Sequence, residues 1–286
     1  MRLQKIFIFV KLIRLNYLAM AAGASLIFMI TFQKGLCNYS LVGLGFLTVI
    51  LIASGGLAIN DYFDSDSDAV MHPERPIPSN QISNLHVIQF SVLLFVTGLT
   101  LALITNHLAF DIAALTSIFL ILYSGLLKRI LGFLSNISMG FLAGMSIPLF
   151  SEAVVHQTVS TLSLSFVLFI ACIDAGLNVL KDIVGLEGDI KKGYSTLPAK
   201  CGIPFSTKVG ALFYLFAALT SPLPYVVGAV SVAYFIPIVL LDCIMFYTSI
   251  SLFKNTDVKT VKKHYKILIT SFSLLVPMAL LFCIFL

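Results

Sequence analysis

Four residues in the first quarter of the chain, Asn60, Asp61, Asp64 and Asp68, have the type and spacing to do chemistry. If a helix runs through them, the three carboxylates stand at i, i+3 and i+7, within about 60° of one helical face. Gathered without counter-charge they repel one another, so such a face needs cations. Hard carboxylate oxygens suit Mg²⁺, which takes one or two carboxylates from a protein and keeps water or phosphate in the rest of its shell. The spacing is not that of an EF-hand, because the loop glycine and terminal bidentate glutamate are missing. A solvated acidic loop is the bland alternative, but these acids begin inside the helical register rather than in a flexible tail.

A second acidic segment runs from Asn178 to Pro198 and carries Lys181, Asp182, Glu187 and Asp189. Shifted by 121 positions, Asp61, Asp64 and Asp68 fall on Asp182, Gly185 and Asp189, and each segment is followed by a basic residue and a proline-containing turn. The pattern reads as an internal duplication. Membrane folds often place their substrate between such repeats, so two acidic faces looking across a shared cavity are expected. Asp174, Asn178, Lys181 and Asp182, at i, i+4, i+7 and i+8, form one polar stripe beneath the second segment. An aspartate near a bilayer centre costs about 2.5 to 3.5 kcal/mol on insertion scales. Asp174 therefore reads as functional, whereas Asp242 either lines an acceptor pocket or is satisfied by a neighbouring helix.

The elements that must position these residues follow from composition. The 286-residue chain is 59% apolar and 11% charged, with a mean hydropathy of +1.02, too little polar surface for a globule in water. Apolar runs recur to Leu286, so a single cleavable leader does not explain them. Stretches long enough to cross about 30 Å of hydrocarbon lie near residues 15–33, 40–60, 85–105, 108–127, 131–150, 161–181, 207–221, 226–252 and 266–286. The expectation is an all-α polytopic membrane protein of about nine transmembrane helices with an internal pseudo-repeat, residues 1–286 forming a single domain.

Charge placement supports that count, because Lys and Arg gather on the cytoplasmic side of short loops. With the N-terminus inside, 17 of the 18 Lys and Arg residues fall on the cytoplasmic side and only Lys34 falls outside. An odd number of spans then puts the C-terminus outside and both acidic segments in the cytoplasm, in a multi-pass protein of the cell membrane. The five cysteines are scattered with no close pair and the five histidines are equally dispersed, so neither a disulfide framework nor a zinc or His-based centre is signalled.

The Asn60 to Asp68 pattern, the Arg75-Pro76-Ile77-Pro78 turn, the Tyr123 to Lys128 stretch and Glu187-Gly188-Asp189 followed by Thr196-Leu197-Pro198 together resemble the UbiA superfamily of intramembrane prenyltransferases. Within it, the Arg-Pro-Ile-Pro turn and the Glu-Gly-Asp and Thr-Leu-Pro elements look closest to the archaeal-type geranylgeranylglyceryl phosphate geranylgeranyltransferases. The resemblance implies a UbiA-type helical bundle and Mg²⁺-dependent transfer of a prenyl group, geranylgeranyl, from an allylic diphosphate to a lipid acceptor. It implies that Asn60, Asp61, Asp64 and Asp68 hold one Mg²⁺ and that Asp182 and Asp189 hold another, with Asp64, Asp68, Asp182 and Asp189 as the catalytic set. Gly185 departs from the family pattern, which has an aspartate there; Asp182 at the preceding turn and Glu187 are the two candidate substitutes.

The leaving diphosphate needs cations and the carbocation needs shelter from water. Arg75, Lys128 and Lys181 are the preferred phosphate ligands, while Arg129, Lys191 and Lys192 serve equally well as topology signals. Tyr123 is the one aromatic nominated for the site, where its ring face can stabilise a cation. Arg14 and Asn16 resemble the family's first-helix motif, although Leu15 stands where a proline is usual. The expected partners are a prenyl diphosphate donor, a lipophilic acceptor and the bilayer, with no nucleic acid and no obligate protein partner. Prenylation of an aromatic or quinone precursor, a terpene cyclase of the same superfamily and a non-enzymatic ion transporter are the competing readings.

Overall fold

The computed structural model describes residues 2–33, 38–127, 132–191 and 193–285, and these are helices joined by short turns. In chain order they are α1 (Arg2–Leu12), α2 (Leu15–Phe32), α3 (Tyr39–Phe63), α4 (Ser65–Met71), α5 (Asn84–Thr105) and α6 (His107–Leu122). A π-helical turn at Tyr123–Leu127 extends α6. There follow α7 (Phe133–His156), α8 (Thr161–Val184), α9 (Leu186–Lys191), α10 (Leu197–Cys201), α11 (Ile203–Thr220), α12 (Leu223–Val226), α13 (Phe235–Lys254) and α14 (Val258–Phe285).

Among the described residues eight helices are long and apolar enough to cross a membrane, and Tyr17–Phe32 is a shorter apolar ninth. Large apolar side chains point outward along them, among them Leu93, Leu115, Leu219 and Ile236. In water such surfaces would drive aggregation, whereas hydrocarbon solvates them without penalty. The eighth expected span begins later than residue 226: Pro224 starts a short turn, Gly228 takes a left-handed φ of 74°, and Ser231 leads into one 3-10 turn before α13. The prolines at the start of the short helix Leu223–Val226 and the glycine with positive φ that follows it account for the delay.

The chain divides into two compact units. The first comprises Met1–Ile30, Leu36–Lys128 and Phe150–Thr158. Its core gathers Met29, Val42, Ala102, Ala109, Phe150, Ala153 and Val154. Small residues set the helix spacing: Gly55 lies against the Phe95 ring, and the Ser91 hydroxyl donates to the Gly55 carbonyl at 2.8 Å. Asn106 caps α6 by accepting from the Ala109 amide at 2.8 Å while donating to the Ala153 carbonyl at 2.9 Å.

The second unit comprises Thr31–Gly35, Arg129–Leu149 and Val159–Leu286. Its central helix is α8, which buries Phe166, Phe169, Ile173, Leu180 and Ile183. Gly140 and Gly144 of α7 face Ala171 and Ala175 of α8, a small-xxx-small pair on each helix that lets two backbones approach. Helix α7 thus supplies residues to both units, and Pro148 stands one residue before its second-unit portion ends.

Candidate active site

The helix expected through the first acidic segment is broken once. α3 ends at Phe63, Asp64 takes φ −89° and ψ 0°, and α4 resumes at Ser65. The backbone bonds nevertheless continue in helical register, Asp64 N to Asn60 O at 2.9 Å and Asp68 N to Asp64 O at 2.8 Å. Aspartate and serine offer local side-chain alternatives to the helical ladder, which explains a break in a run of five such residues. The register survives, so Asp61, Asp64 and Asp68 all remain on the buried side, at 4%, 8% and 3% exposure. Asp66, between them, is exposed.

Burying three carboxylates requires counter-charge. Arg14 forms an ion pair with Asp61 through Nη2 and Oδ1. It lies between α1 and α2 with φ 42°, a left-handed conformation rare outside glycine, and the strain is tolerated where the side chain is anchored. Arg75 pairs with Asp68 and stands 3.8 Å from Asp61 Oδ1. The Arg75–Pro78 turn is fastened by Ser79, whose hydroxyl donates to the Arg75 carbonyl at 2.6 Å. Asn60 Nδ2 donates to Asp64 Oδ2 at 3.0 Å, and Ser124 donates to Asn60 Oδ1 at 3.4 Å. Two arginines thus face three carboxylates, and the surplus negative charge favours a cation.

In the second unit, α8 ends at Val184, Gly185 takes φ −94° and ψ 5°, and α9 resumes at Leu186. Every one of these positions is 121 residues beyond its counterpart around Asp64, so the duplication seen in residue types recurs as the same backbone junction. Asn136 donates to Asp182 Oδ2 at 2.8 Å. The residue 121 positions beyond Arg14 is Ser135, so the partner of the first carboxylate is not repeated in type: an ion pair serves Asp61 and a neutral amide serves Asp182. Asn178 donates to Asp174 Oδ2 at 2.8 Å and accepts from Lys181 Nζ at 2.8 Å, which links the stripe expected on this helix. Asp182 and Asp189 are half-buried, and Glu187 is exposed.

Among the nominated residues, the structure brings Arg14, Asn60, Asp61, Asp64, Asp68 and Arg75 together in the first unit. Tyr123 opens the π-helical turn with its ring stacked on Phe119, centroids 6.4 Å apart. Lys128, Arg129 and Lys192 lie outside the described residues, as does the side chain of Asn16. Asp242 accepts from Ser221 at 2.9 Å through one oxygen, in agreement with satisfaction by a neighbouring element, while its other oxygen is buried without a hydrogen-bond partner among the described residues. Ser124 and Asn136 were not singled out from the sequence; the signal for Ser124 was its place inside the Tyr123 to Lys128 motif. Among the described residues no three His, Cys, Asp or Glu side chains form a ready-made metal cage.

Apolar spans and a duplicated acidic junction at helix ends define a polytopic, all-helical membrane protein with a buried acidic cluster suited to a cation. The family model described as the UbiA prenyltransferase family matches residues 17–275, and the chain belongs to that family. A digeranylgeranylglyceryl phosphate synthase of Methanosarcina mazei is 36% identical over 226 residues, 79% of this chain and 77% of the relative. A solved structure described as giving structural and mechanistic insights into digeranylgeranylglyceryl phosphate synthase in membranes superposes with a TM-score of 0.83 at 28% identity, over 98% of each chain. The fold is also shared with a UbiA homologue from Archaeoglobus fulgidus bound to GPP and Mg²⁺, with a TM-score of 0.69 at 15% identity, covering 98% of this chain and 100% of that one.

Proposed function

We propose that this prenyltransferase moves a geranylgeranyl group from its diphosphate to the free hydroxyl of geranylgeranylglyceryl phosphate. The observation that carries the reading is the pairing of buried Asp61 and Asp68 with Arg14 and Arg75, a cluster of carboxylates that would suit a metal ion beside guanidinium groups that would suit phosphate. The relatives named for this reaction support the choice of donor and acceptor. In the reaction the allylic C–O bond breaks, diphosphate leaves, and the acceptor oxygen bonds to the freed carbon and gives up its proton. A bound Mg²⁺ supplies neutralisation of the leaving diphosphate. Asn60, Asp61, Asp64 and Asp68 would hold it, and Asp182 and Asp189 would hold a second ion. Arg14, Arg75 and Lys181 provide charge for phosphate oxygens, and Asn178 and Asp174 keep the Lys181 ammonium in place. On this reading residues 1–286 form a single prenyltransferase domain, with the N-terminus and the acidic junctions in the cytoplasm and the C-terminus outside.

The direct test incubates membranes containing the protein with labelled geranylgeranyl diphosphate and either geranylgeranylglyceryl phosphate or 4-hydroxybenzoate. Labelled ether lipid should form with the first acceptor and little product with the second. Preference for the aromatic acid would replace this reading with an aromatic one, and cyclised hydrocarbon without any acceptor would replace it with a cyclase. An acceptor that carries phosphate brings a second anion into the site, so Lys181→Ala should raise the acceptor KM severalfold with little change in donor KM. Equal rises in both would detach Lys181 from the acceptor.

Gly185 offers a second test. Its φ is ordinary for any residue, and among the described residues an added Cβ would meet only the Lys181 carbonyl at 3.5 Å, so the backbone accommodates Gly185→Asp without strain. If the missing carboxylate weakens the second metal site, the variant should reach half-maximal turnover at a lower Mg²⁺ concentration. An unchanged or higher requirement in a Mg²⁺ titration would show that the second junction works without a third acid.

A further inference from the structure

The last pair of long helices carries a charged face that the proposed reaction does not use. α13 ends at Lys254 and α14 starts at Val258. Lys254, Lys259, Lys262, Lys263 and Lys266 are all exposed, and among the described residues none of them pairs with a carboxylate. The four on α14 stand at i, i+3, i+4 and i+7, one face of the helix, while Val261, His264 and Leu268 are buried on the other side. The single acid of this stretch, Asp257, is engaged as the cap of α14. Its carboxyl accepts from the Thr260 hydroxyl at 2.6 Å and the Thr260 amide at 2.9 Å, bonds that hold it below the usual carboxylate range.

The lysine face does not end in open water. Further along α14, Thr270 and then Leu274, 63% exposed, lie on or beside the same side, and Met278, 42% exposed, follows one turn on as the row winds around the helix. Two charged turns therefore lead directly into an outward apolar surface. The general bias of basic residues to one side of a membrane accounts for lysines at this end of the helix. It does not require them to share one face with exposed apolar residues. A soluble anion would use the charged turns alone, whereas a phospholipid matches the whole face, headgroup against the ammonium groups and chains along Leu274 and Met278.

We propose that Lys259, Lys262, Lys263 and Lys266, with Lys254, form a binding surface for the phosphate headgroups of anionic phospholipids in the surrounding leaflet. The surface is independent of the transferase reading and stands whatever the donor or acceptor is. The test places the full chain in nanodiscs of equal phosphatidylcholine and phosphatidylglycerol and measures the lipid retained on the protein by native mass spectrometry. Wild type should retain phosphatidylglycerol over phosphatidylcholine by about tenfold, and added salt should reduce that ratio. Lys259→Gln, Lys262→Gln, Lys263→Gln and Lys266→Gln combined should bring it close to parity, and the matching Lys→Arg set should restore it. If the fourfold glutamine variant fails to insert, Lys259→Gln with Lys263→Gln gives the same reading at smaller amplitude. Wild-type preference in the inserted glutamine variant would overturn the proposal. So would displacement of phosphatidylglycerol by inorganic phosphate beyond that caused by chloride at equal ionic strength, since the face would then serve a soluble anion.

Discussion

Asp68→Ala should lower prenyl transfer by about a thousandfold or more while the protein still inserts and keeps its thermal stability. A bound cation contributes several kcal/mol of charge stabilisation to a leaving phosphate, and each loss of about 1.4 kcal/mol is tenfold in rate. Asp68 is 3% exposed, pairs with Arg75, and lies one turn beyond Asp64. Its removal deletes a metal-ligating oxygen and leaves the Arg75 guanidinium held only by Asp61, 3.8 Å away. Asp64→Ala should behave similarly. Asp66→Ala is the internal control, because this residue shares the same short helix and the same charge but faces outward. Turnover of Asp68→Ala near that of Asp66→Ala would remove the first acidic junction from the active site.

The second large effect falls on folding. Gly144→Leu should strongly destabilise the folded protein, with a loss of about 3 kcal/mol or more from overpacking. A Cβ at Gly144 would stand 2.5 Å from the Val167 carbonyl oxygen, and one at Gly140 would collide with the Ala171 carbonyl. Both obstacles are backbone of α8, which cannot rotate away as a side chain can. Gly23→Leu provides the comparison, since among the described residues nothing lies within 4 Å of a Cβ there. Thermal unfolding of the two variants in the same detergent gives the measurement, and equal midpoints would mean that α7 and α8 do not depend on close approach.

The class, the spans and the first acidic face were legible because each rests on local periodicity. Apolar run length reports a membrane helix directly, and three aspartates at helical spacing share a face whatever surrounds them. The duplication was legible as a 121-residue shift in residue type, and the matching junctions at Asp64 and Gly185 gave it a structural counterpart. The counter-charges were harder. Arg14 and Asp61 are 47 positions apart and their contact depends on a left-handed turn at an arginine, which no local pattern encodes. Asn136 was missed for a related reason: one amide within an apolar run has the same appearance whether it faces a helix neighbour or Asp182. The break at Asp64 was also not foreseen, because residues 61–68 are as compatible with one helix as with two.

The division of α7 between the two units has a consequence for biosynthesis. As the chain leaves the ribosome, the first unit cannot close after α6, because its core still lacks Phe150, Ala153 and Val154. By the time those residues emerge, the stretch carrying Gly140 and Gly144 has already been made, and its partner α8 has not. The nascent chain therefore passes through a stage in which one helix has finished its work for the earlier unit and waits, with a glycine seam open, for the later one. A pause or truncation between residues 158 and 184 would strand that seam, which makes this interval of translation the one where a membrane chaperone has most to shield.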